Sequence, residues 1–265
     1  MIVSVARLAL ALLAFAPRVE SQVVTAVVPQ AGALVASPRV PFGVGERLEY
    51  QIKAGPVGGS ADMEILALDT VRGRPAWHAR FTVRGGIPFF RVNDKYESWI
   101  DITTISSLRY RQDIHDGSYE RRRNYEFYPE TRQFIEGGID TAQTVERPVD
   151  EASILYLIRT LELPVGLDTS FNNYFMLDRN PIRIRVLGRE RITVPAGVFD
   201  AIVIQPQIKT KGIFSEGGQA RVWLSDDDRH IILQMKSRVP GFPLGSLNLY
   251  LKSYRAASTP SASKP

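Results

Sequence analysis

The sequence predicts a mostly β protein: one large, strongly curved antiparallel sheet, half-barrel or open barrel-like, with one main α-helix near 150–162. Three observations carry this expectation. Many segments alternate apolar and polar residues with a period of two, which sets one side of a strand against a core and the other in water. The links between them are short and rich in turn residues, which favours antiparallel neighbours. A single segment has a helical period, and a lone helix in a β chain must cover something.

The strands follow in order. Arg47–Lys53 alternates, and so, less cleanly, does Asp62–Leu68; Ala54-Gly-Pro-Val-Gly-Gly59 supplies the turn between them. In Ala76–Arg84, Trp77, Ala79, Phe81 and Val83 share one face, and His78 and Arg80 share the other. Lys95–Asp101 and Leu108–Ile114 continue the pattern, and Asp116-Gly117 marks a hairpin into Tyr119–Tyr128. There Arg121, Arg123, Tyr125 and Phe127 fall on one side. Further strands are expected near 171–178, 182–187, 199–209, 219–225, 230–239 and 246–254. Pro195-Ala-Gly197 is a turn within this series, and the scattered Gly-Gly pairs read as bends.

The helical segment runs from Asp150 to Glu162 and places Ile154, Leu155, Leu157, Ile158 and Leu161 on one face. Asp150 is its N-cap, and Pro164 and Gly166 stop it. Two readings stand: a plug over one end of the sheet, or a mobile lid over a cavity. Trp99 and Trp223 likewise either anchor the core or line a cavity.

The chain has 265 residues, of which 44% are hydrophobic, enough for one large β domain without covalent staples. It has no cysteine, which excludes disulfides, thiolate metal sites and cysteine nucleophiles. The N-terminus has the pattern of a secretory signal: Arg7, the apolar run Leu8–Ala16, and a cleavage tripeptide at Val19-Glu-Ser21. The apolar run is shorter than the roughly 20 residues that span a bilayer. The expected organisation is therefore a signal peptide at 1–21, a spacer at 22–40, a single β-rich domain at 41–255 and a disordered tail at 256–265. The implied location is the periplasm or the periplasmic face of the outer membrane, soluble after cleavage. Loss of the leader changes the formal charge from +5 to +4, leaving 31 basic against 27 acidic side chains. That balance is too thin for a nucleic-acid partner and fits at most a peripheral attraction to a membrane.

Motifs for chemistry are scarce. His78, His115 and His230 stand at no metal-ligand spacing, and no Walker loop, Gly-x-Ser-x-Gly elbow or His-Glu-x-x-His is present. Asp226-Asp-Asp228 reads as a solvated turn rather than a calcium loop. A Ser225–His230–Asp228 triad has nothing to fix its geometry. Glu97 and Asp101, four apart on a strand, would sit about 13 Å apart, too far for a glycosidase pair. No cofactor, metal or catalytic residue is expected. The candidate ligand-binding residues are Trp99, Trp223, Ile154, Leu157, Ile158, Leu161, Arg121 and Arg123.

Five motifs in order resemble the family known as domain of unknown function 3108, found in exported bacterial proteins. They are Phe42–Tyr50, Tyr96–Asp101, Asp150–Arg159, Val194–Asp200 and Trp223–Asp227, and the resemblance covers about 42–252. Where the family often has a proline after the Ser-Asp-Asp turn, this chain has His230-Ile231. The resemblance implies no activity and transfers no catalytic residue. The leading functional expectation is a non-catalytic envelope protein that binds or carries a lipid or other amphiphile. The alternative is an assembly partner of an envelope protein working through a sheet edge or surface. An enzyme acting on envelope glycans or lipids ranks last.

Overall fold

The computed structural model describes residues 40–55, 57–87, 90–209, 220–238 and 246–258. The expected signal peptide, nearly all of the spacer and most of the tail lie outside the described residues. The first residues of the tail run beside the start of the domain, where the Ser258 N–H donates to the Val44 carbonyl.

The described residues form fourteen strands and one α-helix. The first six strands are β1 Arg47–Ala54, β2 Val57–Val71, β3 Arg74–Ile87, β4 Phe90–Asp101, β5 Ser107–Asp116 and β6 Tyr119–Tyr128. Two short strands follow, β7 Gln133–Glu136 and β8 Asp140–Gln143, and then helix α1, Ser153–Arg159. The chain continues through β9 Asp168–Phe171, β10 Ile182–Val194, β11 Gly197–Gln207, β12 Arg221–Ser225, β13 Ile232–Arg238 and β14 Ser246–Arg255. All fourteen belong to one antiparallel sheet in the order β8-β7-β6-β5-β4-β3-β2-β1-β14-β13-β12-β11-β10-β9. It is a meander everywhere except at the centre, where β1 pairs with β14.

The sheet is strongly curled. Laid flat at about 4.8 Å per strand, the eleven steps from β6 to β9 would span roughly 50 Å. Yet Phe175, four residues beyond the end of β9, packs on Tyr125 of β6 with ring centroids 5.3 Å apart. Four residues reach at most about 14 Å, so the two edges must face each other across a mouth. The edges β8 and β9 do not pair, and the barrel stays open. Bulges at Ile65/Ala67, Trp99/Ile100 and Val186/Gly188 add the local twist that such curvature needs.

The two faces differ in kind. On the inner one, Ile65, Ala79, Ser98, Tyr110 and Tyr125 stand opposite one another across β2 to β6, all buried. Ile204, Val222, Met235, Leu249 and Ile52 do the same across the other half. On the outer face the row Arg47, Glu64, Arg80, Glu97, Arg111 alternates in charge across five strands. Such cross-strand pairs of opposite sign favour one register. Over these five strands the exterior is ionic, the reverse of the apolar band that a membrane-spanning barrel presents. No helix among the described residues is long and apolar enough to cross a membrane.

Several expected elements change in detail. The helix is seven residues rather than thirteen. Ala152 takes the N-cap position, and Asp150, two residues before it, still binds the helix start: its Oδ1 accepts the N–H groups of Ala152 and Ser153. Strands β7 and β8 were not expected; four residues each around Gly137-Gly138, they are too short to show a period. The stretch 171–178 is not a strand beyond Phe171. Asn180 folds it back, its Oδ1 accepting the Tyr174 N–H and its Nδ2 donating to the carbonyls of Tyr174 and Met176. Nor are Gly58-Gly59 and Gly85-Gly86 bends. Gly59 and Gly85 oppose each other inside β2 and β3, and a Cβ on Gly59 would lie 2.4 Å from the Arg84 carbonyl oxygen.

Candidate binding site: the plugged inner face and its polar rim

The connection from β8 to β10 fills the mouth, and buried polar groups fix it. Asp150 is fully buried. Its Oδ2 accepts the hydroxyls of Ser98 on β4 and Ser107 at the start of β5, at 2.6 and 2.7 Å. Its backbone N–H is satisfied by the Ser153 and Ser107 hydroxyls. Burial lifts the Asp150 carboxyl to about 6, even though these donors pull the other way. At the far end of the helix Arg159 is equally buried. It forms a two-pronged pair with Glu46, Nη1 to Oε2 at 2.7 Å and Nη2 to Oε1 at 2.8 Å. Nη2 also donates to the Arg229 carbonyl at 3.2 Å, and the guanidinium lies over the Phe42 ring. Burial works against the Arg159 charge, but the Glu46 carboxylate more than restores it, and the pKa is raised. Helix α1 is therefore tied to β4 and β5 at one end and to the approach to β1 and the β12–β13 turn at the other.

Beyond the helix N-terminus the inner face turns from apolar to polar around Tyr125. This ring is buried against Tyr110, Phe134 and Phe175. Its hydroxyl accepts a hydrogen bond from Arg123 Nη1 at 3.0 Å, and Arg123 also pairs with Glu136 at 3.2 Å. Tyr110 accepts from Gln112 Nε2 at 2.9 Å. Across the mouth, Tyr174 donates to Glu151 Oε1 at 2.8 Å and accepts from Arg179. Burial raises the pKa of Tyr96, Tyr110, Tyr125 and Tyr174, and the Glu151 charge adds to each shift. Of these four phenols, only Tyr174 is bonded to that carboxylate. Nearer the hairpin tip, burial and the Asp116 charge raise Asp94 to about 6, although His115 N–H and the Tyr96 hydroxyl donate to it.

The expected ligand residues do not converge. Ile154, Ile158 and Leu161 are buried in packing, and Leu157 is half-buried. Arg121 and Arg123 stand on the inner face at the polar rim, with Arg121 opposite Ile114 and Arg123 opposite Gln112. Trp99 is buried on the opposite side of the sheet from its neighbour Ser98. It packs there with Val71, Ala76 and Leu108 in a small second core. Its indole N–H donates to Asp69, and His78 stacks on it at 4.1 Å, with Glu97 and Asp69 at the two ring nitrogens of His78. Trp223 is also buried, donates to Glu190 and lies under Lys236.

Of the chemistry weighed from sequence, the triad is overturned. Ser225 donates directly to Asp227, while His230 Nδ1 faces the Arg159 carbonyl. Asp101 and Glu97 are held by separate partners, Arg74 and His78. Among the described residues no cluster of histidine and carboxylate groups could hold a metal. A shallow groove of about 600 Å³ lies at the β9 edge, lined by Asp168, Thr169, Ser170, Arg183, Gln207 and Lys209. Sequence reading missed Glu151, Tyr174 and Arg179. Glu151 and Tyr174 sit on irregular chain and Arg179 ends a single 3-10 turn, where no period points a side chain. Tyr125 was legible from its alternation with Arg121 and Arg123.

An open antiparallel barrel, ionic on the outside of β1 to β5 and filled by a polar-anchored helix, defines the class. The family described as protein of unknown function (DUF3108) matches residues 49–252, and the chain belongs to it. No curated protein and no solved structure matches the chain.

Proposed function

We propose that this is an exported, non-catalytic protein of the cell envelope that binds or carries an amphiphilic molecule on the inner face of its sheet. One observation supports this above the rest: the inner face is apolar and then gives way, beside Tyr125, to a rim of mixed charge made by Arg121, Arg123, Glu136 and Glu151. Apolar surface bordered by a few convergent polar groups is the usual make-up of a site for a ligand with a tail and a head. The test is mass spectrometry of small molecules that co-purify with protein isolated from its native periplasm, together with uptake of a hydrophobic dye. A stoichiometric amphiphile, displaced by the dye, is expected. Protein that carries no lipid and takes up no dye overturns the proposal.

A second reading has one observation behind it. Strand β8 is an edge, and all four of its residues are exposed. An envelope protein could add a strand there. Crosslinking from Thr141 that repeatedly traps one protein would favour this reading over the first.

A further inference from the structure

The polar rim has an unmet need that narrows the ligand. Glu151 Oε1 accepts from Tyr174, but Oε2 is shut off from solvent and meets no donor among the described residues. A carboxylate oxygen left in that state is costly, and an N–H or O–H donor supplied by a ligand would relieve it. The residue as a whole keeps partial exposure, so a small turn of its carboxylate would present Oε2 to a ligand. Tyr174, whose ring already carries Arg179 at 5.7 Å, is bonded to Glu151, and Phe175 links Tyr174 to Tyr125 through ring contacts at 5.2 and 5.3 Å. The carboxylate oxygen left without a donor is the feature that attracts a cationic donor here. On the other side of the Tyr125 hydroxyl the sign reverses. Arg123 is bonded to that hydroxyl, and Arg121, two residues along the same face, is exposed with no ion-pair partner among the described residues. Arginines presented in this way suit phosphate oxygens.

Resting on the amphiphile reading above, we propose that the bound molecule has a zwitterionic head group, a phosphate on Arg121 and Arg123 and an ammonium bearing N–H hydrogens on Glu151. The hydrogens matter. A primary ammonium can donate to Oε2, whereas a trimethylammonium supplies charge but no donor.

The mature full-length chain is titrated calorimetrically with dihexanoyl phosphatidylethanolamine, phosphatidylcholine and phosphatidylglycerol, each below its micellar concentration. The ethanolamine lipid is expected to bind about tenfold or more tighter than either of the others, the size of one charge-assisted hydrogen bond in a sheltered place. Glu151→Gln should abolish that preference, removing the ethanolamine lipid's advantage over both of the others. Arg121→Ala should weaken all three lipids alike. Equal binding of the three lipids by the unaltered protein overturns the head-group assignment and leaves the amphiphile reading standing. Binding of none overturns the head-group assignment, and the co-purification and dye measurements then decide the amphiphile reading separately. A preference that survives Glu151→Gln overturns the placement of the ammonium. The lipid series on the unaltered protein decides the matter even if a variant fails to fold.

Discussion

Replacing Glu46 by Gln tests how the helix is held. Glu46 and Arg159 are 1% and 0% exposed in their side chains, and they join positions 113 residues apart. In the variant the guanidinium stays buried, with the carbonyls of Pro41 at 3.4 Å and Arg229 at 3.2 Å and the Phe42 ring as its remaining company. Those groups are dipoles and a quadrupole, and they do not neutralise a full charge. Breaking a buried pair by removing one partner costs about 3–5 kcal/mol, mainly because the other charge is stranded. For a domain of this size that is a fall in melting temperature of roughly 6–20 °C, at about 2–4 °C per kcal/mol. Arg159→Met strands the opposite charge, leaving Glu46 only the Tyr254 hydroxyl at 3.5 Å, and should cost a similar amount. The double variant, Glu46→Gln with Arg159→Met, removes both charges and should lose clearly less than the sum of the two. Urea unfolding of the four proteins gives the cycle. If each single change costs under about 1 kcal/mol and the two add, the pair does not anchor the helix. The plug would then be the mobile lid that the sequence left open.

Two further outcomes follow from local geometry. Asp94, Asp116, His115 and Tyr96 crowd one hairpin tip, and the Asp94 carboxyl titrates near 6 rather than its ordinary 3.8. The folded state therefore holds a proton more readily than the unfolded chain between about pH 4 and 6, and stability falls as pH rises through that window. Asp94→Asn should flatten this fall by about 1–2 kcal/mol, after allowing for the solvent that still reaches the group, as read from melting temperatures between pH 4 and 8. An unchanged pH profile refutes the assignment. Gly59→Ala should destabilise by more than about 1 kcal/mol, because its methyl would meet the Arg84 carbonyl inside the β2–β3 ladder. Chemical denaturation checks it, and an undiminished midpoint would mean the two strands can separate there at little cost.

The sheet was largely legible because its alternation is a local property. Trp77, Ala79, Phe81 and Val83 of β3 point inward because the core lies on that side, and nothing distant intervenes. Trp99 shows where this reading stops. Its burial was foreseen, but its side of the sheet was not, since the Val71–Ala76–Leu108 patch that covers it comes from three strands and a bulge. Strands β7 and β8 escaped because four residues carry no period. Above all, Glu151 and Tyr174 could not be paired from sequence. They lie 23 residues apart on irregular chain, and only the curl of the sheet brings the neighbouring Phe175 onto Tyr125.

A seven-residue helix has no stability of its own in water, since nucleation is unfavourable and few backbone bonds follow it. Burial of Ile154, Leu155, Tyr156 and Ile158 supplies the attraction that holds it in the barrel. Apolar contact is non-directional, though, and would accept the helix rotated or shifted by a turn. The buried polar groups remove that freedom. A shift of one turn, about 5.4 Å, would take Asp150 off Ser98 and Ser107 and Arg159 off Glu46 at the same time, stranding three buried ionisable groups, Asp150, Arg159 and Glu46. The cost of the wrong register, rather than any net gain from the right one, is what these ties contribute. A chain without cysteines has no covalent means of fixing such a segment. The position of Glu151, one residue after the first anchor, inherits its accuracy from that constraint. If Asp150→Asn left the helix in place but blurred the discrimination among lipid head groups, the anchor would be shown to act through the placement of Glu151.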